Sequence, residues 1–336
     1  AHEVIRRENP FPVVCGRVCN HPCESKCRRA QLDQPLAIRE LKRFASDWVM
    51  AHEPELPLPA PISIKGQKVA VVGSGPAGLT AAYYLTKKGY QVTVFEALPV
   101  AGGMMAVGIP GYRLPKKVLE TEIKSIQALG VEIRTGVRIG KDQLADLKRQ
   151  GYKAIFLAIG AHKDSRLGVP GEDLKGVMSG IQFLRDANLA LAGATAAFAP
   201  GRTVGAMAAV ATGFGGAPDV SGKTVAVIGG GNSAMDTART ALRLGARAVK
   251  VLYRRRKEDM PAIPEDIEAA EEEGIEISCL MAPTRIVGEN GKVTGVECAT
   301  MKLGKFDKSG RRSPVPMEGS EVVVPVDVVI SAIGQT

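Results

Sequence analysis

A chain of 336 residues exceeds the size of a usual single hydrophobic core, so we expect two or three domains. Its composition, 45% hydrophobic and 24% charged, is that of an ordinary soluble globular protein. The net charge of +9 comes from scattered basic residues, and aromatic residues are only 4%, which argues against a nucleic-acid-binding surface and favours anionic cofactors or an acidic partner.

The sequence has no predicted membrane span and no signal peptide. The longest candidate, 188–217, is rich in Ala and Gly and is interrupted by Pro200-Gly201-Arg202. Four of the six cysteines lie within 13 residues, which is unlike the disulfide framework of a secreted domain. We therefore predict a reduced, cytoplasmic protein. Because the chain begins with alanine, we expect a fragment or a processed chain.

The N-terminal region contains an evenly spaced cysteine motif. Three residues separate each of its members, Cys15, Cys19, Cys23 and Cys27. Thiolates are soft ligands that suit iron–sulfur clusters or zinc, and the absence of C-x-x-C disfavours structural zinc. We predict an iron–sulfur cluster, with zinc or inert or disulfide-bonded cysteines as alternatives. His21 is expected to be a hydrogen-bonding neighbour.

Residues 69–96 follow a predicted helix at 36–50 and a proline-dense linker at 53–61. They read as strand, glycine turn, helix and strand, the order in which Gly73-x-Gly75-x-x-Gly78 indicates dinucleotide binding. The pyrophosphate is expected at the positive end of the helix dipole. Glu96, at the end of the second strand, is placed to accept hydrogen bonds from a ribose diol.

The middle of the chain continues the first nucleotide domain. We predict a glycine-rich loop at 101–115, an amphipathic helix at 116–129, and strands at 131–133 and 154–159. Segment 188–220 is biased toward Ala and Gly, and we interpret it as a flexible or weakly helical insertion.

A second dinucleotide unit begins at residue 224 and repeats the spacing of the first. Here no acid ends the second strand, and Tyr253-Arg254-Arg255-Arg256 stands in its place. Guanidinium groups accommodate the 2′-phosphate of NADP, so NADP is favoured over NAD, with a solvated basic loop as the alternative. An acidic helix at 265–273 and strands at 275–281, 293–298 and 321–333 are predicted to complete this domain.

No histidine lies in a pattern typical of a catalytic triad, and no H-E-x-x-H, P-loop or G-x-S-x-G motif occurs. Hydride and electron transfer require correctly placed cofactors more than a protein acid or base. These absences therefore favour redox chemistry over hydrolysis.

With these elements in order, the chain resembles the small subunit of NADPH-dependent glutamate synthase and its relatives. These include the N-terminal half of dihydropyrimidine dehydrogenase and the large subunit of ferredoxin:NADP transhydrogenases. The shared motifs are NPFPVVCGRVC with CESKC, VAVVGSGPAGL, AGGMMAVGIPGYRLP, AIG at 158–160, GVPGED at 168–173, VAVIGGGNSAMD, LYRRRKEDMPA and ISAIGQ.

The resemblance implies an α/β fold with two Rossmann-like, glutathione-reductase-like nucleotide-binding domains behind a small helical iron–sulfur domain. The expected boundaries are an iron–sulfur domain and linker at 1–62, a first FAD-binding part at 63–172, an NAD(P)H-binding domain at 173–326, and a truncated return to the FAD domain at 327–336. The implied cofactors are FAD, NADPH rather than NADH, and a [4Fe-4S] cluster, with the cysteines serving one cluster or two.

The resemblance also implies site residues in both nucleotide domains. For FAD they are Gly73, Gly75, Pro76, Ala77, Gly78, Glu96, Gly103, Met104, Arg113, Ile139 through its backbone, and Gly160. For NADPH they are Gly230, Gly231, Asn232, Ser233, Arg254, Arg255, Ala332, Ile333 and Gly334. The family continues beyond this point with a Gly-Asp pair that contacts the flavin, so the FAD site of this chain is expected to be incomplete.

Our hypothesis is an electron-transfer flavoenzyme. NADPH passes a hydride to FAD, and single electrons leave through the iron–sulfur site to a redox partner such as a glutamate synthase large subunit, a ferredoxin or a fused domain; the reverse direction is equally compatible. The alternative is a non-catalytic docking or assembly module of a larger redox complex. A disulfide reductase is disfavoured because its C-x-x-C is absent.

Overall fold

The computed structural model of the chain describes residues 1–52, 65–163, 165–197, 216–307 and 312–334, without the side chains of 192–197. The chain divides into two compact units, Ala1–Gly160 and Ala161–Thr336. The predicted linker at 53–61 lies outside the described residues.

The first unit begins with three short helices and a longer fourth one of 15 residues. Proline occupies the first turn of the second and third, where its missing N–H has no helical partner to lose. The elements are α1 His2–Glu8, α2 Pro12–Val18, α3 Pro22–Ser25, a 3-10 turn at Arg28–Gln31, and α4 Ile38–His52.

A four-stranded parallel sheet forms the centre of this unit, in the order β3-β2-β1-β4. The middle strands are short apolar runs buried on both faces, as parallel sheets covered by helices require. Each fully buried Val of these strands contributes about 1.5–3 kcal/mol. The elements are β1 Lys68–Val72, α5 Pro76–Lys87, β2 Gln91–Phe95, α6 Met104–Val107, α7 Lys116–Gln127, β3 Glu132–Arg134, α8 Lys141–Arg149 and β4 Tyr152–Leu157.

The N-terminal helices pack against α5 and α7 through buried polar contacts. The Arg6 guanidinium donates to Ser125 Oγ at 2.5 Å and lies over the Tyr83 ring, whose hydroxyl donates to the Arg6 carbonyl at 3.2 Å. The cysteine segment is thus part of the same compact unit as the first glycine turn.

Glu122 of α7 is the carboxylate that fixes helix α2. It is 2% exposed, and its two oxygens accept the backbone N–H groups of Val13 at 2.7 Å and Val14 at 3.0 Å. These are two of the donors that a helix start leaves without intrahelical partners. Burial raises the pKa of Glu122 to about 7, while these hydrogen bonds and nearby Arg6 and Arg17 act in the opposite direction.

The second unit contains a five-stranded parallel sheet in the order β5-β13-β6-β7-β8, and an antiparallel sheet in which β10 pairs with β9, β11 and β12. Helix α10 and its neighbours cover a core of Val, Ile and Ala side chains on the parallel sheet. The elements are β5 Val177–Ser179, α9 Gly180–Ala197, β6 Thr224–Ile228, α10 Asn232–Arg243, β7 Ala248–Tyr253, a 3-10 turn at Lys257–Asp259, α11 Pro264–Glu272, β8 Glu276–Cys279, β9 Met281–Glu289, β10 Lys292–Phe306, β11 Arg312–Pro316, β12 Val322–Pro325 and β13 Val328–Ser331.

Two segments of this unit that were each predicted as one strand are divided into two strands in the structure. The strand expected at 275–281 is interrupted at Leu280, which has a positive φ of 57° and ends β8 before β9 begins. The strand expected at 321–333 divides into β12 and β13, which join different sheets.

The assignment of 327–336 to the FAD domain requires a correction. All four residues of β13 are buried, and the strand pairs in parallel with β5 and β6 inside the sheet of the second unit. An apolar strand buried on both faces must lie inside a sheet, and here that sheet is the one that contains β5 and β6.

The Ala- and Gly-biased segment at 188–220 is only partly described. Its first residues continue helix α9 as far as Ala197, and residues 198–215 lie outside the described residues. Across the described ranges, no helix combines the length and apolar character needed to cross a membrane.

We expect Glu122→Gln to flatten the pH dependence of stability. In the wild type the native state holds a proton that the unfolded state has already released between pH 4.5 and about 7, so the free energy of unfolding falls as pH rises through this range. The full effect is about 3 kcal/mol, and chemical denaturation at several pH values measures it. Glu120→Gln, on an exposed face of the same helix, is the control. An unchanged slope in Glu122→Gln contradicts the prediction.

Candidate nucleotide sites and cysteine segment

The first glycine turn, between β1 and α5, is closed on two sides and open on the third. A Cβ on Gly73, whose φ is 104°, would collide with the carbonyl oxygen of Ala158, and a Cβ on Gly78 with the carbonyl oxygen of Gly73. A Cβ on Gly75 would meet no atom within 4 Å. The turn therefore leaves space at Gly75, the position where a pyrophosphate has to approach the backbone.

The start of α5 is suited to an anion. Gly75 is its N-cap residue and supplies no side-chain hydrogen bond, and Pro76 has no N–H. Helix N–H groups at this end lack intrahelical partners, and the helix dipole is positive here. The predicted contacts from Ala77 and Gly78 to the FAD pyrophosphate are compatible with this arrangement.

Glu96 is more constrained than the sequence predicted. It is 7% exposed, and its carboxylate accepts the Ser74 N–H at 2.9 Å, the Ser74 hydroxyl at 2.6 Å and the Leu98 N–H at 2.8 Å. Ser74 Oγ also accepts the Gly102 N–H at 3.0 Å. A carboxylate has about four acceptor positions. Glu96 therefore ties the glycine turn to the following loop and keeps capacity for a ribose hydroxyl.

The loop at 101–115 is held against the glycine turn. Gly103 has a φ of 53°, and a Cβ on it would lie 2.6 Å from the Gly75 Cα. Lys116 fixes the other side of the loop, since its ammonium donates to the carbonyls of Ala106 at 2.6 Å and Ile109 at 2.8 Å. Burial lowers the pKa of Lys116 to about 8. Sequence reasoning missed Ser74, which occupies a variable position of the glycine motif, and Lys116, which follows the loop motif without being part of it.

The other residues predicted for FAD lie in the same unit. Met104 and Arg113 are half-buried, and Ile139 packs on the cluster formed by Ala70, Phe95, Leu147 and Tyr152. Gly160, after β4, has a positive φ of 70°.

A cleft of about 480 Å³ lies at the carboxyl ends of β6 and β13 in the second unit. It brings together eight of the nine residues predicted for NADPH: Gly230, Gly231, Ser233, Arg254, Arg255, Ala332, Ile333 and Gly334. Ligands of open α/β sheets bind at this end of the strands. A cleft of about 410 Å³ at the amino ends of β1 and β2 is lined by no predicted site residue.

The second turn repeats the geometry of the first. A Cβ on Gly229, whose φ is 145°, would collide with the Ala332 carbonyl oxygen, and Gly231 is the N-cap of α10 without a side-chain cap. Gly229 therefore corresponds to Gly73. The sequence places it in the predicted glycine turn directly after the strand, but it was not among the residues implied for NADPH.

Asn232 is the predicted residue that does not line the cleft. Its side-chain oxygen accepts the N–H of Ile263 at 2.9 Å, which links the start of α10 to the start of α11. In the structure it positions the chain segment that follows the arginines.

The three consecutive arginines have different surroundings. Arg254 is exposed at the cleft. Arg255 is 6% exposed and pairs with Asp307 at 2.7 Å. Arg256 pairs with Asp259 at 3.0 Å and with Glu258 at 3.6 Å, so its charge is already matched. Asp307, 52 residues from its partner, carried no sequence signal.

The four N-terminal cysteines are free thiols on successive short elements of the segment 15–27. Backbone N–H groups of Leu36 and Arg29 hydrogen-bond the Cys27 sulfur and hold the pKa of this thiol below its usual value. His21 lies with Nδ1 3.2 Å from Glu24 Oε2, consistent with a neighbouring role. Soft, thiolate-forming donors fit an iron–sulfur cluster in kind and number. Within the described ranges, no three His, Cys, Asp or Glu side chains are grouped to hold a metal ion.

Two family models match the chain. The model described as pyridine nucleotide-disulphide oxidoreductase matches residues 67–336, and the one described as dihydropyrimidine dehydrogenase domain II, 4Fe-4S cluster, matches residues 1–54. These matches confirm the expected cofactor classes, a flavin with a pyridine nucleotide and a 4Fe-4S cluster.

Two relatives are similar to this chain over nearly its whole length, and one solved structure shares its fold. The chain is 44% identical to the NADP(+)-dependent formate dehydrogenase subunit beta of Moorella thermoacetica, over 99% of this chain and 46% of the relative. It is 35% identical to the glutamate synthase [NADPH] small chain of Azospirillum brasilense, over 99% and 67%. It thus spans about half the length of the former. Mycobacterium tuberculosis FprA in complex with NADPH shares the fold, with a TM-score of 0.61 at 21% identity over 81% of this chain and 71% of that one.

We expect alanine at two positions of the first turn to have opposite effects. Gly78→Ala should destabilise the fold by at least about 2 kcal/mol, because its Cβ meets the Gly73 carbonyl. Gly75→Ala should leave thermal unfolding of the apoprotein nearly unchanged, because its φ of −67° suits alanine and space is available. It should weaken FAD binding at least about 10-fold, measured by flavin fluorescence. Wild-type FAD affinity in Gly75→Ala would show that the pyrophosphate does not bind there.

Proposed function

Because the chain belongs to the pyridine nucleotide-disulphide oxidoreductase family, we propose that it is an NADPH-dependent electron-transfer module of a larger redox assembly. The observation that carries the proposal is the pair of geometrically equivalent glycine turns, only the second of which is followed by arginines. An acid follows the first, as a ribose diol requires, and cationic side chains follow the second, as a 2′-phosphate requires.

In this proposal the chain's own residues bind and orient the two nucleotides. Gly75 and the start of α5 hold the FAD pyrophosphate, and Glu96 accepts from its ribose. Gly231, Ser233 and the start of α10 hold the NADPH phosphates, while Arg254 and Arg255 receive the 2′-phosphate. When bound, FAD supplies the exchange between hydride and single-electron chemistry, and an iron–sulfur cluster held by Cys15, Cys19, Cys23 and Cys27 supplies a one-electron path.

The partner in this proposal is a second subunit or a fused domain. The names of the relatives support it, since one is a subunit beta of a formate dehydrogenase and the other a small chain of glutamate synthase. One name combines NADP(+) with formate dehydrogenase and the other combines NADPH with glutamate synthase, so the two relatives differ in substrate. The final acceptor, whether a glutamate synthase large subunit, a ferredoxin or a similar protein, and the direction of electron flow depend on that partner. We place this activity in the cytoplasm, because cysteines stay reduced there and those of this chain are free thiols.

A second candidate, a docking module without turnover, is favoured by one surface of the N-terminal region. Helix α4 exposes Leu41 by 61%, Phe44 by 70% and Trp48 by 48%. Large apolar side chains at such spacing on one helix are typical of interaction sites.

Anaerobic mixing of the FAD-saturated protein with NADPH separates the two candidates. The electron-transfer proposal predicts rapid bleaching of the flavin absorbance band, followed by turnover with an artificial dye acceptor. A flavin that stays oxidised in saturating NADPH would contradict the proposal and leave the docking role. Gly75→Ala protein without bound flavin is the blank for direct dye reduction.

We expect Arg254→Ala to weaken NADPH binding by about 10- to 100-fold, because a charge-assisted hydrogen bond to the 2′-phosphate is lost. NADH binding should change little, since it has no phosphate at this position. Arg256→Ala is the matched control, because its guanidinium is paired with Asp259 and Glu258. Titration of flavin bleaching with both coenzymes measures the effect. Equal losses for NADPH and NADH would contradict the role of Arg254.

A further inference from the structure

The Arg255 side chain lies at the wall of the cleft in the second unit and has one buried hydrogen-bond donor without an acceptor in the described part of the chain. It is 6% exposed, and Nη2 donates to Asp307 Oδ2 at 2.7 Å. Its Nη1 is also buried and has no hydrogen-bond partner among the residues that the structure describes. A buried donor left unsatisfied costs about 1–3 kcal/mol, so this group requires an explanation.

The antiparallel sheet fixes the backbone of the same residue. The Arg255 carbonyl accepts the Leu280 N–H at 3.0 Å, and the Leu280 carbonyl accepts the Met301 N–H at 2.8 Å. Leu280 has a positive φ of 57°, a conformation that a bulky residue adopts only when its surroundings enforce it. Position 255 is therefore anchored to the β8–β9 connection through its backbone and to the end of β10 through its side chain.

A guanidinium presents its five N–H donors in a rigid planar fork. If one edge is fixed by a carboxylate, the direction of the other edge is fixed as well. In Arg255, Asp307 takes the Nη2 edge, and the unmet donor is on Nη1. Arg255 lines the cleft, so a phosphate bound there would supply the missing acceptor once a local shift uncovers Nη1, and the ion pair with Asp307 would limit the side-chain entropy lost on binding.

We propose that Asp307 is a positioning residue for coenzyme selectivity. Its carboxylate holds the Arg255 guanidinium so that the remaining edge receives the 2′-phosphate of NADPH. This inference rests on the proposed function, because it assigns a supporting residue to the same coenzyme site. It also gives the antiparallel sheet a role in selectivity, since the anchor is the residue that directly follows β10 and does not belong to the dinucleotide motif.

A purely structural role for the ion pair makes a different prediction. If Asp307 only stabilised the end of β10, its removal would lower the melting temperature and affect all nucleotides equally. The positioning role instead changes the ratio of affinities between ligands with and without a 2′-phosphate. That ratio is the decisive measurement.

The experiment measures binding of 2′,5′-ADP and 5′-ADP to the FAD-saturated protein by isothermal titration calorimetry. The variants are Asp307→Ala, which removes the acceptor, and Asp307→Asn, which keeps an oxygen acceptor of the same reach. Asp307→Ser, too short to reach the guanidinium, replaces the alanine variant if that protein does not fold. Glu297→Ala is the matched control, since Glu297 pairs with Arg285 at 2.7 Å in the same sheet and lies outside the cleft lining.

We expect Asp307→Ala to bind 2′,5′-ADP about 10- to 100-fold more weakly and 5′-ADP with wild-type affinity. Asp307→Asn should stay within about threefold of the wild type, and Glu297→Ala should match it. Unchanged or tighter 2′,5′-ADP binding in Asp307→Ala, or an equal loss for both ligands, would overturn the proposal. A wild type that does not prefer 2′,5′-ADP would instead overturn the proposed NADPH function, so the two failures are distinguishable.

Discussion

The two nucleotide-binding turns depend on one steric constraint, a backbone carbonyl that fills the space of a side chain. After β4 the Ala158 carbonyl lies where a Cβ of Gly73 would be, and after β13 the Ala332 carbonyl does the same to Gly229. In each case the Ala N–H also donates to the last residue of the central strand, at 2.8 Å. The neighbouring strand end thereby braces each turn. Two residues further on there is space for a ligand, since a Cβ would meet no atom within 4 Å at Gly75 and only the Pro261 side chain, at 3.8 Å, at Gly231.

The two sites differ in how they use charge. In the first unit a buried carboxylate, Glu96, organises the turn through Ser74 and has acceptor capacity left. In the second unit the side chains at the corresponding strand end are arginines. The carboxylate of Asp307, 52 residues away in the sequence, pairs with the buried one, Arg255. In the proposed function, a few side chains at one strand end thus decide whether the same supersecondary frame suits an unphosphorylated or a phosphorylated ribose.

Much of this arrangement follows from local sequence. The glycine spacing, the apolar strands and the arginines after β7 predict both turns, because these features act over a few residues. Glu122, Lys116 and Asp307 were not predicted, because each acts on a backbone or side chain that only the tertiary fold brings near. The two strands separated at Leu280 were predicted as one for a related reason, since an apolar run does not reveal a left-handed residue within it. The sheet that β13 joins was not predicted correctly either, because its position between β5 and β6 depends on the tertiary fold and not on its own apolar sequence.

The contact between Glu122 and the start of α2 has a consequence for the modularity of the protein. The peptide that carries the first cysteine obtains the hydrogen-bond acceptors for its opening turn from a helix of the neighbouring flavoprotein fold. Residues 1–52 transplanted onto a foreign scaffold would lack that support unless α7 accompanied them. A recombined protein that carries this segment therefore needs α7, or an equivalent acceptor, as well as the residues before the proline-dense stretch at 53–61.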